Sequence, residues 1–149
     1  MVPFLAVSLL QAADAAVQAQ AAEGQKVYMM VCFACHQPTG MGMPNMFPPL
    51  AGSDWANAPK ADRIIRIVLH GLSGPVTVKG LPFNTPAPIM PPQGAMLNDT
   101  QIANVLTYIR NSFGNAAGAV SPDEVKAIRA GENRTLPWTQ TELQKVADR

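Results

Sequence analysis

The sequence predicts an all-α fold in which helices alternate with long loops rich in proline and glycine. Apolar residues recur at helical spacing in several segments, whereas only Val76-Thr77-Val78 alternates as one arm of a small hairpin would. The chain has 149 residues, of which 14 are Pro and 11 are Gly, so long regular elements have little room. Residues 72–97 form a loop too long for an ordinary compact domain, which predicts a bound cofactor to organise it.

Composition excludes several classes of protein. Eleven Lys and Arg against ten Asp and Glu leave a net charge of +1, so no nucleic-acid or anionic-lipid partner is expected. A charged fraction of 14% with 48% hydrophobic residues indicates a packed globule, and two Cys exclude a multi-disulfide scaffold.

The amino end has the pattern of an export signal. An apolar run over residues 2–10 is followed by Ala19-Gln20-Ala21, the small-x-small form that signal peptidase recognises. Residues 1–21 are therefore predicted to be a signal peptide or leader, and the protein to be periplasmic or otherwise exported. No basic residue precedes Lys26, so a linker is the alternative. The run is about half the roughly 20 residues that cross a bilayer, and no transmembrane span is predicted.

Start and stop signals predict five helices. The first covers about residues 23–31 and continues into the cysteines, and the second is capped by Asn57, has Pro59 in its first turn and ends at Gly71. Three more begin at capping boxes, the first of them ending before Gly114 and the second near Ala130. The capping pairs are Asn98 with Gln101, Ser121 with Glu124, and Thr139 with Glu142.

The segment Cys32-Phe33-Ala34-Cys35-His36 has the C-x-x-C-H pattern of covalent haem attachment. Offsets of three and four residues share one helical face, so both thiols can reach the haem vinyl groups while His36 points at the iron. A thioredoxin-like pair would need a βαβ context, and a disulfide here would close too small a loop to organise a domain. Zinc would need four ligands, and only His70 remains as a further His or Cys.

The sixth iron ligand decides between two functions. A Met opposite His gives a low-spin electron carrier, whereas an open site gives a peroxidase-like enzyme or a ligand sensor. Five of the eight Met adjoin the attachment turn or follow it too closely to cross the ring, and Met1 lies in the leader. Met90 and Met96 remain. Met90 is favoured because two prolines with fixed φ follow it.

Other polar side chains are weaker candidates. His70 stands in the last turn of the second helix, where the helix dipole favours a histidine without any metal. Arg63, Arg66, Trp55 and Tyr108 are candidates to contact haem propionates, and the sequence does not choose among them.

The chain resembles the class I c-type cytochromes, especially the monohaem domains that are subunits or fused modules of bacterial dehydrogenases, reductases and oxidases. Gly24-x-x-x-Tyr28 is similar to the family's first-helix motif, which crosses the last helix at an aromatic residue, here Tyr108. Val105 stands where the family has Leu, which should loosen that crossing slightly.

Two further segments carry the resemblance. Pro48-Pro49-Leu50-Ala51-Gly52 resembles the family segment whose proline carbonyl accepts a hydrogen bond from the proximal histidine, which implies that Pro48 orients His36. Met90-Pro91 resembles the axial-ligand segment. The resemblance covers residues 22–115, leaves 116–149 as a helical extension, and implies one haem c, one-electron transfer and a redox partner that is a dehydrogenase, reductase or oxidase.

The loops expected to frame the haem are nearly uncharged. Residues 37–59 and 72–97 contain only Asp54 and Lys79 as charged residues. A carrier that diffuses to its partner often uses a charged ring, so a neutral face predicts a subunit or a tethered domain. The predicted apolar rim comprises Met41, Met43, Met46, Phe47, Leu81 and Phe83.

Overall fold

A computed structural model describes residues 4–83 and 90–147 and confirms the all-α class. The only sheet among these residues is a two-stranded hairpin. In chain order the elements are α1 (Phe4–Val27), a π-helical turn (Tyr28–Cys32), α2 (Phe33–His36), α3 (Asp62–His70), β1 (Val76–Val78), β2 (Leu81–Phe83), α4 (Asp99–Arg110), α5 (Pro122–Gly131) and α6 (Gln140–Ala147).

The crossing of α1 over α4 forms one side of the core. A Cβ atom at Gly24 would lie 1.9 Å from the carbonyl oxygen of Asn104, so only glycine allows the two backbones to come this close. One turn later the buried Tyr28 ring lies 5.4 Å, centroid to centroid, from both Tyr108 and Phe113. Helix α1 begins far earlier than predicted, since the run of Ala and Gln before Glu23 continues the helix.

The predicted start of the second helix is wrong. Helix α3 begins at Asp62, and its preceding residue Ala61 provides no side-chain cap. The Asn57 side chain instead donates hydrogen bonds to the Ser53 carbonyl (2.9 Å) and to Asn115 Oδ1 (2.8 Å). These two bonds fix the turn that contains Asn57. The predicted end is confirmed, because Gly71 takes a φ of +84° as the residue that follows the helix.

The later helices start as predicted. Both capping boxes, at the starts of α4 and α5, are present with reciprocal side-chain bonds, and the Glu142 backbone N–H donates to Thr139 Oγ1 at the start of α6. Helix α4 ends at Arg110, one turn before the predicted stop at Gly114. The Arg110 guanidinium is buried and donates to the carbonyls of Ala56, Ala58 and Gly118.

The predicted hairpin is confirmed. Val76 pairs with Phe83 and Val78 with Leu81, and the turn residues Lys79 and Gly80 both have positive φ, as tight hairpin turns require. The expectation that Phe83 lies on the exposed rim is wrong, because Phe83 pairs with the buried Val76 and its ring belongs to the core cluster.

The segment after residue 115 packs on the same core. The side chains that anchor it are almost fully buried, and they are Val120, Val125, Trp138 and Leu143. No helix of the described ranges is both long enough and apolar enough to cross a membrane.

Candidate haem site

The attachment motif lies at the junction of the π-helical turn and α2. Cys32 ends the π-helical turn, and Cys35 and His36 belong to the short helix that follows. Burial, and to a lesser extent the neighbouring Cys35, raise the pKa of the Cys32 thiol to about 12. Both cysteines are free thiols, and among the described residues no three His, Cys, Asp or Glu side chains gather as metal ligands. Neither a disulfide nor a zinc cluster is therefore seen at the motif.

His36 is held in one tautomer by the loop that follows it. Its Nδ1 lies 3.0 Å from the carbonyl oxygen of Pro48, and since a carbonyl only accepts, Nδ1 carries the proton. Burial lowers the pKa of His36, and the bond to Pro48 opposes that shift in part. A neutral imidazole that donates from Nδ1 has a free lone pair on Nε2, which is the form that ligates metals.

Residues 37–50 are folded tightly around His36. The Gly42 backbone N–H donates to the His36 carbonyl (3.0 Å), and a Cβ at Gly42 would lie 2.2 Å from the Phe47 carbonyl oxygen. The Leu50 backbone N–H donates to the Gly40 carbonyl at 2.7 Å. These contacts fix the position of Pro48 relative to the imidazole.

A cavity with an empty volume of about 740 Å³, part of it open to solvent, lies beside the motif. None of its described lining residues is Asp, Glu, Lys or Arg. The lining residues with ligand atoms or aromatic surface are Cys32, His36, Trp55 and Met90. Aliphatic side chains of α3, β1 and α4 form most of the remaining wall.

Met90 and Met96 have different environments. Met90 lines the cavity together with His36, and its backbone pairs with Leu72 through N···O distances of 2.9 and 3.1 Å. Met96 is 72% exposed and is not among the cavity-lining residues. Ile89, which precedes Met90, lies outside the described residues, as do the other residues of 84–89.

Of the four side chains predicted as candidates to contact haem propionates, only Trp55 is among the cavity-lining residues. Trp55 lines the cavity and donates from its indole to the Thr77 carbonyl (3.1 Å). Arg63 stacks on that indole at 5.2 Å, with its Nε buried and unpaired. Arg66 instead binds Glu132, and Tyr108 packs in the aromatic cluster, so neither lines the cavity.

His70 lies outside the cavity. Its Nε2 is 3.3 Å from Glu132 Oε2, without the alignment of a hydrogen bond. Leu72, which sequence reasoning missed, both lines the cavity and pairs with Met90. No local signal marks it, because its pairing partner is distant in sequence.

The residues present fit a covalently attached haem. A large, flat and mostly apolar group needs an uncharged cavity, and this cavity brings together a thiol, a neutral imidazole and a thioether. Cys35 is half-buried on α2, the short helix that also contains His36, and is not among the cavity-lining residues.

Comparison with known proteins agrees with this chemistry. The family described as Cytochrome c matches residues 21–113. Cytochrome c-552 of Thermus thermophilus is 36% identical over 117 residues, which cover 73% of this chain and 86% of that protein.

Two relatives are named as parts of dehydrogenases. The gluconate 2-dehydrogenase cytochrome c subunit of Pantoea cypripedii is 38% identical over 114 residues, which are 73% of this chain and 24% of that protein. The cytochrome c subunit of alcohol dehydrogenase (quinone) from Gluconacetobacter polyoxogenes is 34% identical over 71% of this chain and 22% of that protein. The chain thus spans about a quarter of the dehydrogenase subunits but most of cytochrome c-552.

None of these names describes a peroxidase or a sensor, so the open-site alternative gains no support. The extent of the family match, with the attachment motif beside an uncharged cavity, decides the class. The chain belongs to the cytochrome c family, and it is a monohaem electron carrier, not an enzyme, whose cofactor is one covalent haem c.

Proposed function

We propose that this chain is the electron-transfer subunit or tethered domain of an exported dehydrogenase system, and that His36 and Met90 would bind the iron of its haem. The observation that carries the ligand assignment is that both side chains line one uncharged cavity beside the attachment cysteines. The thiols of Cys32 and Cys35 form the two thioether bonds to the cofactor. Bound haem supplies an iron that cycles between two oxidation states.

Each residue of the site has a separate task in this proposal. Pro48 orients His36 and keeps the proton on Nδ1, which leaves Nε2 as the ligand atom. Met90 contributes a thioether, which favours the reduced iron and raises the potential. The aliphatic walls and Trp55 exclude water from the cofactor, which lowers the reorganisation that accompanies electron transfer.

The partner proposal is supported by the exposed face around the loops. Four apolar side chains of this face are 41–59% exposed, and they are Met41, Met43, Met46 and Leu81. Asp54 and Lys79, the two charged residues of the loops, lie side by side, with the Lys79 backbone N–H donating to Asp54 Oδ1. Such a neutral, methionine-rich face suits a partner that is held close by and does not need charge steering.

The names of the relatives support the same partner class. Two of them are cytochrome c subunits of gluconate and alcohol dehydrogenases, and we extend that role to this chain. The predicted leader over residues 1–21 supports the export part of this proposal, with attachment and function in the periplasm or another exported compartment.

The ligand assignment is tested by Met90→Ala with Met96→Ala as the matched control. Met90→Ala should keep the haem attached, lose the long-wavelength absorption band of methionine-ligated ferric haem, bind CO on reduction and have a lower potential. Met96→Ala should change none of these, because its side chain is outside the cavity. The assignment is wrong if the two variants exchange these behaviours.

The docking proposal is tested by the salt dependence of electron transfer with the dehydrogenase of the source organism. The rate should change less than about threefold between roughly 0.02 M and 0.3 M salt, a span over which a charge-steered pair slows strongly. The double variant Met41→Lys with Met46→Lys adds charge to the same face and should acquire a salt dependence. A steep fall in the unaltered protein would show that docking is electrostatic.

A further inference from the structure

Leu72 lies between two segments that are distant from each other in the sequence. On one side it pairs with Met90, donating from its N–H to the Met90 carbonyl (3.1 Å) and accepting from the Met90 N–H (2.9 Å). On the other side the Trp138 N–H donates to the Gly71 carbonyl (2.9 Å), and the Trp138 carbonyl accepts from the Ser73 N–H (2.8 Å). Met90, Leu72 and Trp138 therefore form a three-segment strip.

The outer segment of this strip is firmly anchored. The Trp138 side chain is 7% exposed and belongs to the core cluster, and the guanidinium of Arg134 lies 3.9 Å from the centre of its ring. The following helix is fixed by Leu143, which is 1% exposed. Since the indole cannot leave without exposing a large apolar surface, the Trp138 backbone is a fixed edge for residues 71–73.

A second contact reaches the chain on the carboxyl side of Met90. Arg129 of α5 donates to the Gly94 carbonyl (2.5 Å) and the Leu97 carbonyl (2.9 Å), and its Nε binds Asp99 at 2.7 Å. Gly94 is also tied to the end of α3 through the Leu69 carbonyl. The segment of residues 120–143, here called the C-terminal brace, thus contacts both the strand beside Met90 and the loop after it.

We propose that the C-terminal brace positions Met90, so that it keeps the sulfur in the cavity against competing ligands. This inference rests on the ligation by Met90 proposed above. The two hydrogen bonds to Leu72 alone are a short bridge, and short bridges open locally at small cost. Trp138 holds the other edge of Leu72, and Arg129 of α5 holds Gly94. Both contacts lower the fraction of molecules in which Met90 has left the cavity. Trp138 and Arg129 are positioning residues, because neither is among the residues that line the cavity.

The test is an imidazole titration of the ferric holoprotein, which measures how readily an external ligand replaces Met90. Trp138→Ala should raise the apparent imidazole affinity about tenfold. Imidazole binds only to molecules in which Met90 has left the cavity, and the fraction of such molecules should rise by the same factor. Trp138→Phe keeps a buried ring and should stay within about twofold of the unaltered protein. Phe113→Leu is the control, because Phe113 packs against Tyr28 and Tyr108 on the attachment side. It should destabilise the fold without changing the imidazole affinity.

A variant that leaves the buried core intact makes the test independent of folding. Arg129→Gln removes the contacts to Gly94 and Leu97 from a partly exposed side chain, and it should raise the imidazole affinity about threefold. Suppose that Trp138→Ala and Arg129→Gln bind imidazole as the unaltered protein does, while the unaltered protein shows the methionine absorption band. The proposal that the C-terminal brace positions Met90 is then wrong, and the assignment of Met90 as a ligand stands. If the unaltered protein lacks the band, both proposals fall.

Discussion

The attachment side and the Met90 side of the cavity are stabilised by different kinds of contact. On the attachment side, α1 crosses α4 at Gly24, and the rings of Tyr28, Tyr108 and Phe113 pack within 5.4–5.5 Å of one another. Met90 belongs to no helix, and its backbone is held by hydrogen bonds to Leu72. Packed side chains therefore hold the histidine side, whereas backbone pairing between distant segments holds the methionine side.

This difference predicts unequal responses to substitution. Damage to the attachment side should cost the fold itself, because it removes core contacts and the bond to the cofactor. Damage to the Met90 side that spares the buried Trp138 ring should leave a folded protein with altered ligation, since Met90 and Leu72 themselves are only partly buried. The following changes test that contrast in order of decreasing effect.

Loss of either attachment cysteine should have the largest effect. Cys32→Ser or Cys35→Ser removes one covalent bond to the cofactor and should remove much of the folded protein, because the apolar cavity has no filling in molecules that lose the haem. Yield and the cooperativity of thermal unfolding by circular dichroism measure this. A cooperative, well-folded protein without haem would show that the polypeptide core suffices by itself.

A methyl group at the helix crossing should have the next largest effect. Gly24→Ala places a carbon 1.9 Å from the Asn104 carbonyl oxygen, which forces the helices apart and should lower the free energy of unfolding by about 3 kcal/mol. Gly131→Ala is the matched control, because a Cβ there meets no atom within 4 Å. Urea titration of both variants measures the contrast, and equal stabilities would mean that the crossing has room to adjust.

The attachment side could be predicted from the sequence more fully than the Met90 side. The attachment motif, the Gly24 and Tyr28 spacing and the capping box at Asn98 are local patterns, and the structure has the expected crossing and the expected cap. A local pattern is visible in sequence because neighbouring residues satisfy it. Met90 is favoured by the position of the other methionines, by the two prolines that follow it and by the resemblance of Met90-Pro91 to a family segment, and its ligand role remains a prediction.

The errors share a physical cause. Asn57 is a residue type that often caps helices. Its side-chain amide instead donates hydrogen bonds to Ser53 and to Asn115, which lies 58 residues away. Arg66 was a candidate for haem propionates, but Glu132 of the C-terminal segment binds it. Leu72 and Trp138 pair through backbone atoms, which are the same for every residue type. Contacts of this kind leave no pattern in a single sequence.

The smallest expected effect concerns the acid sensitivity of the brace and bears on the Met90 side alone. The carboxylate of Glu142 accepts hydrogen bonds from the backbone N–H of Thr139, from Arg134 and from the Thr139 hydroxyl, and these hold the pKa of Glu142 below its ordinary value of 4.5. A carboxylate with a lowered pKa stabilises the fold above its unfolded pKa, and that stabilisation disappears as the pH falls through the folded pKa. The pair with Arg134 is partly exposed, so screening keeps the effect small.

Glu142→Gln should therefore be less stable than the unaltered protein at neutral pH, and the two free energies of unfolding should converge as the pH falls through the lowered pKa of Glu142. Urea titrations from neutral to acid pH measure this difference, and Glu23→Gln, whose partner Lys26 is exposed on α1, is the control with no expected change. Parallel curves for the two proteins would remove Glu142 from the contacts that stabilise the Met90 side.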